Sequence, residues 1–141
     1  MDRITESMLG QFALENGLDS LSQSKQFEHL VSYAVVQRQY GETFDTDDII
    51  LPDGEFGVDG IAIIVNGVLI TDLDDFVAVN TDAATLDASF IFIQADRSRA
   101  FEVGKMGNFV VAVLDFFSDA PQLLKSERAK ELMAVQTAIY G

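Results

Sequence analysis

An aspartate placed in an apolar run is the first residue of this chain that calls for a physical reason. Asp59 stands between Val58 and Gly60 at the head of Ile61-Ala62-Ile63-Ile64-Val65. A lone carboxylate is costly to bury unless it is paired, hydrogen-bonded or bound to a metal. A second apolar run, Phe90-Ile91-Phe92-Ile93, ends in Gln94-Ala95-Asp96. Side chains alternate along a strand, so Asp59 is expected to share a face with Ile61, Ile63 and Val65. By the same rule Gln94 and Asp96 project side by side at one strand end. If the two strands are near neighbours, three oxygen-bearing groups converge. Carboxylates with an amide oxygen suit Mg²⁺ or Mn²⁺, which keep waters in their remaining positions. Such an ion lowers the pKa of a bound water and stabilises charge building on a phosphate. The chemistry in view is metal-assisted hydrolysis. The plainer alternative is that strand-end Asp and Gln meet solvent or cap a turn.

The elements that must hold these groups follow from apolar spacing. A short amphipathic stretch (Met8, Phe12, Leu14, Leu18) precedes residue 20. Over residues 22–40, Phe27, Leu30, Val31, Ala34 and Val35 recur at helical spacing, and Gly41 is a natural stop. Ile49-Ile50-Leu51 reads as a short strand cut off by the turn residues Pro52-Asp53-Gly54. The run after Asp59 is β-branched and apolar on both faces, as in a central strand. Asn66-Gly67 is a hairpin dipeptide that returns the chain through Val68-Leu69-Ile70-Thr71. Residues 73–87 are acidic and irregular, with room for a short helix. A helix is expected over residues 101–117, carrying Met106, Phe109, Val110, Val113 and Phe117 on one face. Ser126 can cap a last helix, with Glu127 in its first turn. The fold class is therefore α/β in the broad sense, of the α+β type, in one domain. A sheet of so few strands, with nothing after the last helix, suggests the N-terminal part of a longer protein.

Composition bounds the partners. The chain has 141 residues, eleven Phe, no Trp and no Cys, and its formal net charge is −14. No apolar stretch approaches the ~20 residues that span a bilayer, so no membrane partner is expected. The start, Met1-Asp2-Arg3-Ile4-Thr5-Glu6, lacks the basic and apolar regions of a signal peptide. With no thiols to oxidise, the chain fits a cytoplasmic, reducing location. Nine Lys and Arg stand against twenty-three Asp and Glu, whereas a nucleic-acid binder normally carries a basic stripe. Nucleic acid is disfavoured as a partner of this piece alone, unless a metal ion mediates the contact or another domain supplies the grip. The remaining domains of a longer chain and a second copy of this one are the other partner classes.

The run Asp53-Gly54-Glu55-Phe56-Gly57-Val58-Asp59-Gly60-Ile61-Ala62-Ile63-Ile64, followed by Phe90-Ile91-Phe92-Ile93-Gln94-Ala95, then by Phe101 and Asn108-Phe109 through Asp115-Phe116-Phe117, resembles the N-terminal region of the AIPR abortive-phage-infection proteins. More remotely it is similar to the restriction-endonuclease-like PD-(D/E)xK nucleases, in the subgroup reading D…QxK. The likeness covers residues 27–117 and rests on the two strands taken together. It implies a three-layer core with a central mixed sheet of about three to four strands flanked by helices, a role in phage defence, and a site for Mg²⁺ or Mn²⁺. Carried over residue by residue, Asp59 matches the metal-binding Asp and Gln94 the residue that replaces the acid. Glu28 matches the helix carboxylate often found in these nucleases, against the alternative of an exposed helix-face Glu. The pattern wants Lys two residues after Gln94, a positive charge to orient the attacking water, and this chain has Asp96. Arg97, Arg99 or Lys105 would have to supply the cation, and Lys105 is the best placed. A degenerate, non-catalytic sensing or assembly domain with an acidic binding face is the alternative, and a plain structural domain the third reading.

Other features take ordinary readings. His29 has no second His nearby and is expected at the surface or its boundary. The acidic clusters Asp45-Thr46-Asp47-Asp48 and Asp72-Leu73-Asp74-Asp75 lack the Gly and Glu of a calcium loop and are expected as solvated loops. Phe109, Phe116 and Phe117 are expected in the core rather than as a base-stacking platform.

Overall fold

The computed structural model describes residues 2–51, 58–95, 103–121, 123 and 126–140, with the backbone alone over 103–107. The protein is a mixed α and β fold. Helix α1 covers Arg3–Glu15 and α2 Gln23–Tyr40. Strand β1 covers Gly60–Val65, β2 Val68–Ile70 and β3 Ala88–Ile93. Helix α3 covers Leu73–Thr81, α4 Val103–Phe116 and α5 Glu127–Tyr140.

The local signals act as their chemistry requires. Ser22 Oγ accepts from Lys25 N at the head of α2, and Gly41 closes it in the left-handed conformation at φ 81°. Ser126 Oγ accepts from Ala129 N at 3.1 Å, opening α5. Asn66 and Gly67 both take positive φ, 51° and 79°, as the tight β1–β2 hairpin demands. Asn66 then ties that turn to the start of β3, with Oδ1 accepting from Asp87 N at 2.8 Å. The two acidic clusters are more than solvated loops. Asp45 caps a single 3-10 turn over Thr46–Asp48, and Asp72 caps α3 by accepting from Asp75 N at 2.8 Å. The carboxylate of Asp75 accepts from both the N–H and the hydroxyl of Thr71, and these bonds hold its pKa below the usual carboxylate value.

The sheet runs in the order β2-β1-β3 and both pairings are antiparallel, where a mixed sheet was expected. The reason is connectivity. A two-residue turn joins β1 to β2, and the short return through α3 brings β3 back against the free edge of β1 in the opposite sense. Residues Ile63 and Val65 of β1 pair with Ile70 and Val68, and Gly60 to Val65 pair with Ile93 to Ala88. The expected short strand at 49–51 is a single bridge, Ile50 to Gly60.

All six residues of β1 are buried, because helical side chains cover the sheet on both faces. On one side Ile61, Ile63 and Val65 join Phe76 of α3, Ala112 and Phe116 of α4, and Leu132 and Val135 of α5. On the other, Ala62 and Ile93 pack with Val36 of α2 and with Ile49. Phe90 and Phe92 meet Phe116 and Phe117 in edge-on ring contacts at 5.1 to 6.3 Å; Phe116 is fully buried and Phe109 packs against the core, whereas Phe117, expected in the core, is 38% exposed at its edge. Among the described residues, no helix is long and apolar enough to cross a membrane.

His29 departs from expectation. It is buried, and its Nδ1 lies 2.6 Å from the hydroxyl of Thr46. Burial lowers its pKa below the ordinary 6.5, Asp47 and Asp45 oppose that shift, and Lys25 adds to it. A base whose pKa is depressed on folding stays neutral in the native state, so the unfolded chain takes the proton first. Stability from this group is complete above pH 6.5 and declines below it, by at most about 1.4 kcal/mol per pH unit. Urea melts of the wild type and His29→Gln between pH 7.5 and 5 should show the wild type losing stability relative to the variant as the pH drops. A constant difference between the two would contradict this.

Candidate functional site

The site lies where β1 and β3 end together. Asp59 N donates to the carbonyl of Ile93 at 2.8 Å, yet Ile93 is already the register partner of Gly60. Two residues of one strand therefore face one of the other, the arrangement of a β-bulge. Val58 and Ile61 fall in the same core cluster although they stand three positions apart, which in a regular strand would put them on opposite faces. The pleat stops at Gly60, and the expectation that Asp59 shares a face with Ile61 by simple alternation does not apply. Its orientation is set by its own hydrogen bond. The Oδ2 atom accepts from Ala95 N at 2.8 Å, so the carboxylate clasps the backbone of the 94–95 segment.

Gln94 stands beside that clasp. Its Oε1 is buried and accepts no hydrogen bond from the described residues, an arrangement that costs about 1–3 kcal/mol where no donor or ion compensates. Asp59 reaches the Ala95 amide rather than the Gln94 side chain. Asp96, with Arg97 and Arg99, lies outside the described residues, as do the side chain of Lys105 and the turn at Pro52-Asp53-Gly54.

Helix α2 carries the third group. Val36 packs with Ala62 and Ile93, and one turn earlier Ser32 sits over Gly60, its Oγ 3.3 Å from where a Gly60 Cβ would be. A helical turn of about 5.4 Å keeps pace with two strand residues of about 6.6 Å. Glu28 lies one helical turn before Ser32 on α2. Its Oε2 is buried and receives Lys25 Nζ at 2.9 Å. Glu28 is thus a sheltered, ion-paired carboxylate and not an exposed one.

Among the described residues, no group of three or more His, Cys, Asp and Glu is close enough to hold a metal ion. What they provide is one carboxylate with an oxygen beyond its Ala95 bond, one buried amide oxygen without a donor among them, and, on α2 one helical turn before Ser32, a second carboxylate. These are hard oxygen donors of the kind Mg²⁺ and Mn²⁺ take a few at a time, the rest being water. Lys25 and Ser32 were not picked out from the sequence. The i,i+3 spacing of Lys25 and Glu28 was the available signal for the first, and a small residue opposite the strand glycine for the second.

The geometry defines an α+β domain with a polar strand end under a helix. Comparison with protein-family models, with curated proteins and with solved structures finds no match to this chain.

Proposed function

We propose that this chain is a nuclease-like domain of the abortive-infection type, cytoplasmic, hydrolysing phosphodiesters with a divalent ion, Mg²⁺ or Mn²⁺, held at the β1–β3 end. The observation that carries the reading is the pairing of a carboxylate locked onto the Ala95 amide with a buried Gln94 oxygen that has no donor among the described residues. Asp59 is the principal ligand, Gln94 the second, and Glu28 a third brought by α2. Asp96 and Lys105 belong to the same proposal on the sequence pattern alone. A divalent ion there supplies a polarised water and a positive charge for the phosphate. The protein's own part is to fix the ligands: the bulge aims Asp59, the Ala95 N–H holds one oxygen, and the half-buried Gln94 keeps its Oε1 out of bulk water.

The test is a Mn²⁺ titration read by thermal melting. An ion that binds the folded state alone stabilises it, by about 1.4 kcal/mol at ten times its Kd, so the wild type should melt higher at millimolar Mn²⁺. Asp59→Asn keeps an acceptor for Ala95 but loses the charge, and should remove most of that shift together with any plasmid nicking. A wild-type curve unmoved by Mn²⁺ would sink the metal reading and favour the acidic interaction domain.

A further inference from the structure

We propose that the cavity between the C-terminal ends of α4 and α5 binds a guanidinium group, the head of an arginine side chain or of a small arginine-like molecule. The inference shares no residue with the site at Asp59 and does not rest on it. The cavity measures about 290 Å³, at the small end of ligand sites. Phe117, Tyr140 and Met133 line it together with the polar residues Asp119, Gln136 and Thr137. Three observations choose the ligand. First, the aromatic wall is already in place. Tyr140 is 65% exposed, yet its ring stacks on Phe90 at 6.1 Å, and Phe117 meets Phe90 edge-on at 5.1 Å. A delocalised planar cation stacks on rings held in this way. Second, α4 ends at Phe116 and α5 at Tyr140, so the partial negative charge of two helix ends falls at the cavity. Neither last turn holds a basic residue to offset it, and Asp119 adds a carboxylate. Third, none of Asp119, Gln136 and Thr137 commits its side chain to a hydrogen bond with another described residue. A carboxylate, an amide oxygen and a hydroxyl are therefore available as acceptors. A guanidinium brings five N–H donors in one plane and no acceptor; the carboxylate takes its fork, and the neighbouring oxygens take what remains. No Lys or Arg is among the described residues that line the cavity, and the chain carries a net charge of −14, so an anionic ligand is repelled.

The experiment titrates the isotope-labelled full chain with N-acetyl-arginine amide and follows backbone amide shifts by NMR. EDTA is present throughout, so the outcome is independent of the metal-site reading. Saturable shifts at Phe117, Gln136 and Thr137 are expected, with a Kd on the order of 1 mM for so small a ligand. N-acetyl-citrulline amide, a neutral isostere, should bind about tenfold more weakly, the scale of one charge-assisted contact. Asp119→Asn should weaken the arginine amide by about the same factor, and Tyr140→Leu by about threefold, the scale of an exposed cation–π contact. Both side chains are exposed, and unchanged shifts in β1 and α2 will show that the variants are folded. A pentapeptide with one central arginine separates the two sources of the group. Binding tenfold tighter than the amide assigns it to a polypeptide, and equal binding to a free small molecule. Equal affinity for the arginine and citrulline amides, or an Asp119→Asn protein that binds as the wild type does, would overturn the proposal. So would adenosine binding more tightly than the arginine amide, because the aromatic wall would then be a base-stacking surface.

Discussion

Replacing Arg128 by Leu should cost about 3 kcal/mol of folding stability, a fall in Tm on the order of 10 °C for a domain of this size. Arg128 lies in the first turn of α5, and its guanidinium donates to two backbone carbonyls from distant segments. One is Thr71, between β2 and α3, and the other is Asp48, at the end of the 3-10 turn. It also pairs with Glu131 at 3.1 Å. The fork geometry lets one side chain serve several acceptors, and here it joins three parts of the chain that have no strand pairing with one another. Removing it strands both carbonyls in a part-buried setting and takes away the cation near Asp48. Burial already raises the pKa of Asp48, Asp45 adds to that rise, and Arg128 opposes it. The control is Lys130→Leu on the same helix. Lys130 is exposed and its ion pair to Glu127, at 3.4 Å, is a surface contact, worth little in stability. Equal melting temperatures for the two variants would refute the role given to Arg128.

Nothing in Ser126-Glu127-Arg128-Ala129-Lys130-Glu131 distinguishes Arg128 from a solvent-facing helix charge, because its partners are backbone groups 57 and 80 residues away. The same limit recurs elsewhere. Helices α2 and α5 were legible because their signals are local: apolar residues three and four apart, a Ser at the start and, for α2, a Gly at the end. The hairpin was legible in Asn66-Gly67 for the same reason. Helix α3 was only half visible, since Asp72 and Asp75 read as one more acidic loop until Asp72 is taken as a cap for the Asp75 amide. His29 looked like a surface residue because its partner, Thr46, lies beyond the helix that bears it. Asp59 could be singled out by its apolar neighbours, but not oriented. Its partner is Ala95 N, 36 residues on, and the bulge that turns it depends on the β1–β3 register, which composition does not encode.

Gly60 is where fold and site depend on the same few atoms, and Gly60→Val should damage both. Its φ is not positive, so backbone freedom does not explain the glycine. Space does. A Cβ there would stand 3.2 Å from the carbonyl of Ile49 and 3.3 Å from Ser32 Oγ, both closer than an ordinary contact. The Ile49 carbonyl cannot retreat freely, because it accepts from Ile61 N at 2.9 Å. Two added methyl groups must therefore push α2 off β1, at a cost of about 2–3 kcal/mol for overpacking. Gly60 adjoins Asp59, whose N–H and carboxylate are held by Ile93 and Ala95, so Gly60→Val should also lose much of the Mn²⁺-induced rise in Tm with Asp59 intact. Ser32 provides the cross-check. Its hydroxyl is fully buried and finds no hydrogen-bond partner among the described residues, so Ser32→Ala alone should be close to neutral. Combined with Gly60→Ala it should recover part of that variant's loss, since one of the two tight contacts disappears. A Gly60→Val protein as stable as the wild type, or a Ser32→Ala change with the same effect in both backgrounds, would mean that α2 does not rest on Gly60.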